Sequence, residues 1–337
     1  MKIRKYFLIT DTHKENPNPG DIMIGNGIEY LLREAELRLG NLPIFRYVSI
    51  FDIDGRIWND VFREADYIVV CGTPQLGYSP SNHFDKIYAM IQKAKAENII
   101  TANLGMGAGG VDQNYNIDKT ANEIYEIHRD RKLRYMGYFD LITTRDEIIT
   151  KVLETNKSEC YKFIDTVFYA ANYFNINKQV GSFNIVTLKL VASNMIDKIM
   201  RVVNNFKFNN ILPITYLCHD LSDFECYKDL IKDLICVNDP SSLIKLYSYG
   251  NQVLSMKIHG SVPALNFGLE VVNICMDCRS NILEQVGVQS VKLDEFINGR
   301  ECKFQHIPQI DELKEYEKER FIKLWFEKCQ SKIERTK

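Results

Sequence analysis

Short apolar runs alternate along this chain with longer stretches in which apolar residues recur every three or four positions. The runs read as strands buried on both faces, and the periodic stretches as helices packed by one face. Strands are predicted over Lys5–Thr10, Pro43–Ile50, Asp66–Cys71, Asn98–Leu104 and Phe139–Thr144. Helices are predicted between them over Ile22–Leu39, Phe84–Ala96, Asp118–Tyr135 and Glu147–Glu154. Residues 155–182 break the rhythm, and Phe183–Leu188 resumes it as a strand. Further strands follow over Asn210–Cys218, Leu234–Asn238, the run at Val253–Met256, Val271–Ile274 and Ser290–Leu293. Helices over Asn194–Phe206, Glu225–Lys232 and Pro240–Tyr247 separate them. A charged helix from Ile310 to about Arg335 ends the chain, with Leu313, Phe321, Leu324 and Trp325 among its apolar positions.

Strands and helices alternating in this way build parallel sheets covered by helices. The break near residue 170 divides the pattern in two. The expected architecture is α/β, with two Rossmann-like domains facing across a cleft: residues 1–165, residues 180–305, and a C-terminal helix over 306–337. In open α/β sheets, ligands bind beyond the carboxyl ends of the strands. The polar groups expected there are Asp21, Thr73, the loop at Gly105, Arg145, His219, Lys257, His259 and Arg279.

The stretch from Gln252 to Ile274 is the densest of these places. Val253, Leu254 and Met256 make a strand, and Lys257 and His259 follow at its end. Gly260 and Ser261 then open a helix, with Ser261 as its N-cap, Pro263 in its first turn and Gly268 closing it. One turn thus joins a cation, a group that titrates near neutral pH, and a helix end that attracts anions. The plainer alternative is a buried His259 satisfied by a carbonyl and a solvated Lys257. Asp21 either caps the first helix or faces a ligand. Gly25, Asn26 and Gly27 lie one turn in, where glycine permits close approach of a ligand or of another backbone. Gly105-Met106-Gly107-Ala108-Gly109-Gly110 reads as a glycine-rich loop, without the spacing of a dinucleotide fingerprint or a P-loop. Arg145 is an anion clamp or the salt-bridge partner of Asp146 or a nearby acid.

Composition excludes some partners. The 337 residues carry a net charge of −2, not the basic excess of a chain built to grip nucleic acid. No apolar run approaches the ~18 residues of a membrane span. The apolar run after the basic Met1–Lys5 is cut off by Asp11, so it is not a secretory signal. The nine cysteines are odd in number and scattered, which suits reduced thiols in a cytoplasm. Cys275 and Cys278 form a lone Cys-x-x-Cys with no His at zinc spacing, and read as structural. No ligand cluster implies a metal.

Three blocks together resemble the polysaccharide pyruvyl transferase family. They are Asn18-Pro19-Gly20-Asp21 before a helix; Asp66-Tyr67-Ile68-Val69-Val70-Cys71-Gly72 with Thr144-Arg145-Asp146; and Ser255-Met256-Lys257-Ile258-His259-Gly260 continuing to Ile274. The similarity spans roughly residues 18 to 295. It implies a GT-B-like fold whose final helix returns to the first domain, with the acceptor on the first domain and the donor on the second. It also implies transfer of the enolpyruvyl group of phosphoenolpyruvate to hydroxyls of a cell-surface glycan or its precursor, forming a ketal and releasing phosphate. By that match His259 is the general acid, and Asp21 orients or deprotonates the acceptor hydroxyl. Lys257, Arg145, Gly260, Ser261 and Arg279 face the donor, although Arg279 as a plain surface charge fits equally. Gly20, Asn26, Thr73 and Gly107 fall on the acceptor side. Phosphoenolpyruvate is a co-substrate, no cofactor is implied, and a homo-oligomer is allowed.

Two positions depart from the family pattern. Lys257 stands in place of an Arg, and a point charge cannot form the bidentate fork. Gly72-Thr73-Pro74 replaces a glycine-rich turn. Two other readings compete. One is a GT-B glycosyltransferase using a nucleotide sugar, although no ribose site or base-stacking surface stands out. The other is a non-catalytic glycan-binding member, which Lys257 favours and which His259 and Arg145 oppose.

Overall fold

The computed structural model describes residues 1–12, 18–52, 55–72, 74–78 and 83–330. Thr73 therefore lies outside the described residues. The first sheet contains β1 (Ile3–Thr10), β2 (Leu42–Ser49), β3 (Tyr67–Cys71), β4 (Pro74–Gly77), β5 (Ile100–Gly109), β6 (Leu141–Thr144) and β7 (Tyr161–Lys162). Its order is β2-β1-β3-β5-β6-β7, with β4 added against the far end of β5. The second sheet contains β8 (Phe183–Thr187), β9 (Ile214–Cys218), β10 (Ile235–Cys236), β11 (Gly250–Ser255), β12 (Glu270–Cys275) and β13 (Ser290–Lys292). Its order is β10-β9-β8-β11-β12-β13, the doubly wound arrangement in which the sense of winding reverses between β8 and β11. Every pairing within the two sheets is parallel. The central strands are largely buried because helices cover both faces: all five residues of β3 are buried.

The glycine-rich segment is not a loop. β5 runs on through Gly105, Met106, Gly107 and Ala108 to Gly109, and β4 pairs with it from Pro74 to Gly77. A Cβ on Gly77 would lie 1.9 Å from the Gly109 carbonyl oxygen, so these glycines let two backbones meet. The stretch predicted as one helix to Tyr135 ends at His128, and a 3-10 turn over Leu133–Tyr138 follows.

The helix Pro19–Arg38 holds the two sheets together. It begins earlier than its periodicity suggests, because Asn18 is its N-cap and accepts from the Gly20 amide. Asp21 therefore sits in the first turn and is not the cap. Gly27 answers the question of close approach: a Cβ there would lie 1.9 Å from the Thr166 carbonyl oxygen, and the Thr166 hydroxyl donates to the Ile24 carbonyl. The contact is with backbone, not ligand. One continuous core joins Ile28 and Leu32 of this helix to Val167 and Phe168, and onward to Val262 and Leu265 on the second domain. The last helix, Ile310–Trp325, lies on the first sheet, where Trp325 is fully buried against Tyr6 and Tyr67. Arg38 grips Glu319 through both nitrogens there, and Arg320 donates to the Lys162 carbonyl. Among the described residues no helix is long and apolar enough to cross a membrane.

Candidate active site

The carboxyl ends of β8, β9, β11 and β12 converge on a cavity of about 300 Å³. Lys189, His219, Asp220, Lys257, His259 and Arg279 stand in its wall, and Asn18 closes it from the first domain. Two helices begin here, one from each domain: Pro19–Arg38 and Ile258–Asn266. Both turn the positive end of a helix dipole toward the same space.

His259 is the junction between the domains. It is 6% exposed, and its Nε2 has no hydrogen-bond partner. A Cβ on Gly20 would lie 1.8 Å from its Nδ1, so the Nδ1 edge of the imidazole rests against a backbone that has no side chain to offer. The expectation of a carbonyl-satisfied histidine is not met at Nε2. Burial, followed by the fields of Arg145 and Arg279, pushes the His259 pKa well below its usual range. This holds the ring in its neutral form.

Asp21 lies one residue beyond this contact. Asn18 Nδ2 donates to its Oδ2 at 2.7 Å. Burial first and the charge of Asp11 second push its pKa up to about 7, against the opposing pull of Arg145 and Arg279. A carboxyl held there exchanges its proton at neutral pH.

The arginines differ in availability. Arg145 is 1% exposed and donates from Nη1 to Asp165 at 2.8 Å. Its Nε and Nη2 are buried without partners, lying over Gly107, where a Cβ would come within 2.6 Å of Nε. Gly107 is thus the floor under Arg145 and not part of an acceptor loop. Arg145 does not pair with Asp146, whose Oδ1 caps the helix Glu147–Thr155 and whose Oδ2 accepts from the Ala108 amide. Arg279 stands in the cavity wall and forks onto Asp277 with Nε at 2.9 Å and Nη2 at 2.6 Å. Lys189 donates to the same carboxylate at 2.8 Å.

Several predicted roles need correction. Lys257 is the N-cap residue of its helix, and its Nζ is held by Asp220 at 2.6 Å and by Asp223. Its charge is already balanced, so it is not an open donor contact. No residue pattern signals this pairing, because the acids come from the cap and first turn of the helix after β9. Gly260 and Ser261 do not offer free amides, since both donate to the Lys257 carbonyl. Ser261 lies inside the helix, not at its cap, and its hydroxyl donates to Asn273 at 2.6 Å. Gly260 is there for packing: a Cβ would meet Ser255 Oγ at 2.6 Å and the Tyr247 hydroxyl at 2.8 Å. Asn26 points to Tyr47, away from the cavity wall. His219, noted only as a strand-end residue, faces the cavity with Nε2 3.1 Å from the Tyr247 hydroxyl. Cys275 and Cys278 are both buried thiols at the end of β12.

The sequence profile of polysaccharide pyruvyl transferases matches residues 18–274. The chain belongs to the polysaccharide pyruvyl transferase family. This makes it a transferase, and the matched span runs from the cap of the first helix to β12, enclosing Asp21, Arg145 and His259. No curated protein sequence matches the chain. Solved structures with the same architecture include the UDP-GlcNAc 2-epimerase of Neisseria meningitidis bound to UDP-GlcNAc, which is 10% identical over 96% of this chain and 100% of that one, with a TM-score of 0.54. The UDP-GlcNAc 2-epimerase of Methanocaldococcus jannaschii is 13% identical over 96% and 99%, with a TM-score of 0.53. The S. aureus MnaA–UDP co-structure is 12% identical over 88% and 86%, with a TM-score of 0.52. At these identities the likeness concerns the fold alone, and that fold is the two-domain GT-B arrangement.

Proposed function

We propose that this pyruvyl transferase family member takes the enolpyruvyl group from phosphoenolpyruvate and sets it on two hydroxyls of a sugar in a glycan or its precursor, in the cytoplasm. The observation that carries the reading is His259, with its Nε2 unbonded, resting against Gly20 next to Asp21 at the start of two helices, with both His259 and Asp21 in the fields of Arg145 and Arg279. Phosphoenolpyruvate has a carboxylate and a phosphate. The positive ends of the two helix dipoles supply complementary charge, and Arg279 with the unpartnered Nε and Nη2 of Arg145 supplies donors.

The charge balance suggests an order of events. Burial and the cations keep His259 neutral, so by itself it has no proton to give as an imidazolium. A bound polyanion adds negative charge beside it and raises its affinity for a proton. His259 then protonates the methylene carbon of the donor, leaving a cationic centre at the adjacent carbon. The first acceptor hydroxyl attacks that carbon and loses its proton to Asp21. A second hydroxyl displaces phosphate, and its proton leaves with the phosphate. One proton thus ends on carbon and one on phosphate, matching the two given up by the hydroxyls, and the proton left on Asp21 passes to solvent as His259 takes up another with the next donor.

Calorimetric titration tests this. Phosphoenolpyruvate is expected to bind saturably at pH 7 with proton uptake, seen as a binding heat that varies with buffer ionisation enthalpy. His259→Ala should bind without the uptake, and Arg279→Ala should bind weakly. Binding of a UDP-sugar, with none of phosphoenolpyruvate, would overturn the reading in favour of a nucleotide-sugar glycosyltransferase.

A further inference from the structure

The helix Ile258–Asn266 has His259 at one end, and its other end opens on a second cavity, of about 510 Å³. Asn266, Phe267 and Gly268 form one wall. The segment Asn172–Lys178, which links the two sheets, forms another, and the start of the C-terminal helix a third. Every structural unit of the molecule therefore contributes, and none of the groups assigned to the transfer reaction does.

Three features of this wall call for a ligand. Lys314 is 8% exposed, yet its nearest carboxylate, Asp311, stands 3.8 Å away and is itself 91% exposed. A buried ammonium with so distant and hydrated a partner loses solvation and gains little in return. Burial accordingly lowers its pKa. Asn266 is 7% exposed, and its Oδ1 is buried with no hydrogen-bond partner. Such an atom costs free energy until something donates to it. The 16-residue helix Ile310–Trp325 starts at this wall after Gln309, a left-handed residue whose side chain makes no capping bond. Its first-turn amides lack intrahelical partners and carry the positive end of the dipole. Lys178 adds a second cation, so two lysines face the single carboxylate of Asp311.

We propose that this cavity binds a small oxyanion bearing hydroxyl groups, a sugar phosphate by chemical class. The anion sits between Lys314 and the first turn of the C-terminal helix, and a hydroxyl donates to Asn266 Oδ1. The site is separate from the catalytic cavity, and the proposal does not depend on which donor that cavity takes. Because the same helix joins the two cavities, an occupant here would fix the end of the element that carries His259.

Thermal shift and calorimetry with inorganic phosphate, glucose 6-phosphate and glucose test the proposal on wild type, Arg279→Met, Lys314→Met and Lys178→Glu. Glucose 6-phosphate should stabilise wild type and Arg279→Met alike, phosphate less, and glucose not at all. Affinity should fall about ten-fold or more in Lys314→Met and in the surface variant Lys178→Glu. Without ligand, Lys314→Met should melt at or above wild type, since the burdened charge is gone. No shift with any probe in wild type overturns the site. So does a shift that survives both lysine changes, or one lost in Arg279→Met, which would place the anion in the catalytic cavity.

Discussion

At the scale of residues, the site sets two titrating groups against their ordinary behaviour. His259 is held neutral by burial and arginines, and Asp21 is held near half-protonation by burial and Asp11. A carboxyl whose pKa is raised to about 7 on folding keeps a proton that the unfolded chain has released above about pH 4. Stability is therefore lost as pH climbs from about 4 to about 7, and the deficit is constant above that. Each pKa unit is worth about 1.4 kcal/mol, and partial exposure of Asp21 reduces the whole to about 1–3 kcal/mol. Asp21→Asn is expected to match wild type at pH 4.5, to exceed it by that amount at pH 8, and to lose transfer activity. Urea melts at both pH values decide this, and an Asn variant less stable than wild type at pH 8 would remove the case for a strained, functional carboxyl. The gain is of the kind seen where an active site is maintained against stability.

At the scale of elements, the helix Ile258–Asn266 is placed by Gly260. With hydrogen in place of a methyl group, the helix lies directly on the buried Thr187, Tyr247 and Ser255 group, and that depth carries His259 down to Gly20. Gly260→Ala should cost about 1–3 kcal/mol by overpacking and displace His259 as well. Thermal melts paired with a phosphoenolpyruvate titration check both effects, and a fully stable, fully active variant would refute the packing argument. The sequence showed the strand, helix and strand of this stretch, because apolar runs and Gly268 mark them clearly. It misplaced the cap, because Ser261 is a good N-cap by type but is held inward by Asn273, a partner on the next strand. The strand through Gly105–Gly109 was hidden for a related reason: its pairing is made by backbones in close contact, and glycines leave no apolar pattern to read. Lys257 looked like a free cation because the acids that hold it lie on another element.

At the scale of the whole molecule, the two-domain order was legible from alternating strands and helices, whereas the closeness of the domains was not. The expected architecture sets the two domains facing across a cleft, without saying where the first helix lies between them. That helix is sandwiched, and its first turn touches the other domain through the Gly20–His259 contact. That contact turns a local substitution into a test of the assembly. A methyl group on Gly20 would lie 1.8 Å from His259 Nδ1, far inside contact distance, and neither partner is free to give way. The glycine is fixed by the Asn18 cap, and the imidazole by its own buried helix. Gly20→Ala should therefore separate the domains at this point and cost about 1–3 kcal/mol in wild type. In a His259→Ala background the ring is absent, the methyl group enters vacated space, and the cost should fall close to zero. Residues in direct contact give such non-additivity, and distant ones do not. Chemical denaturation of the four proteins completes the cycle. A coupling of at least about 1 kcal/mol is expected. Additive effects would mean that the domains do not meet through this pair, and that the acid and the carboxyl of the proposed reaction are not brought together by it.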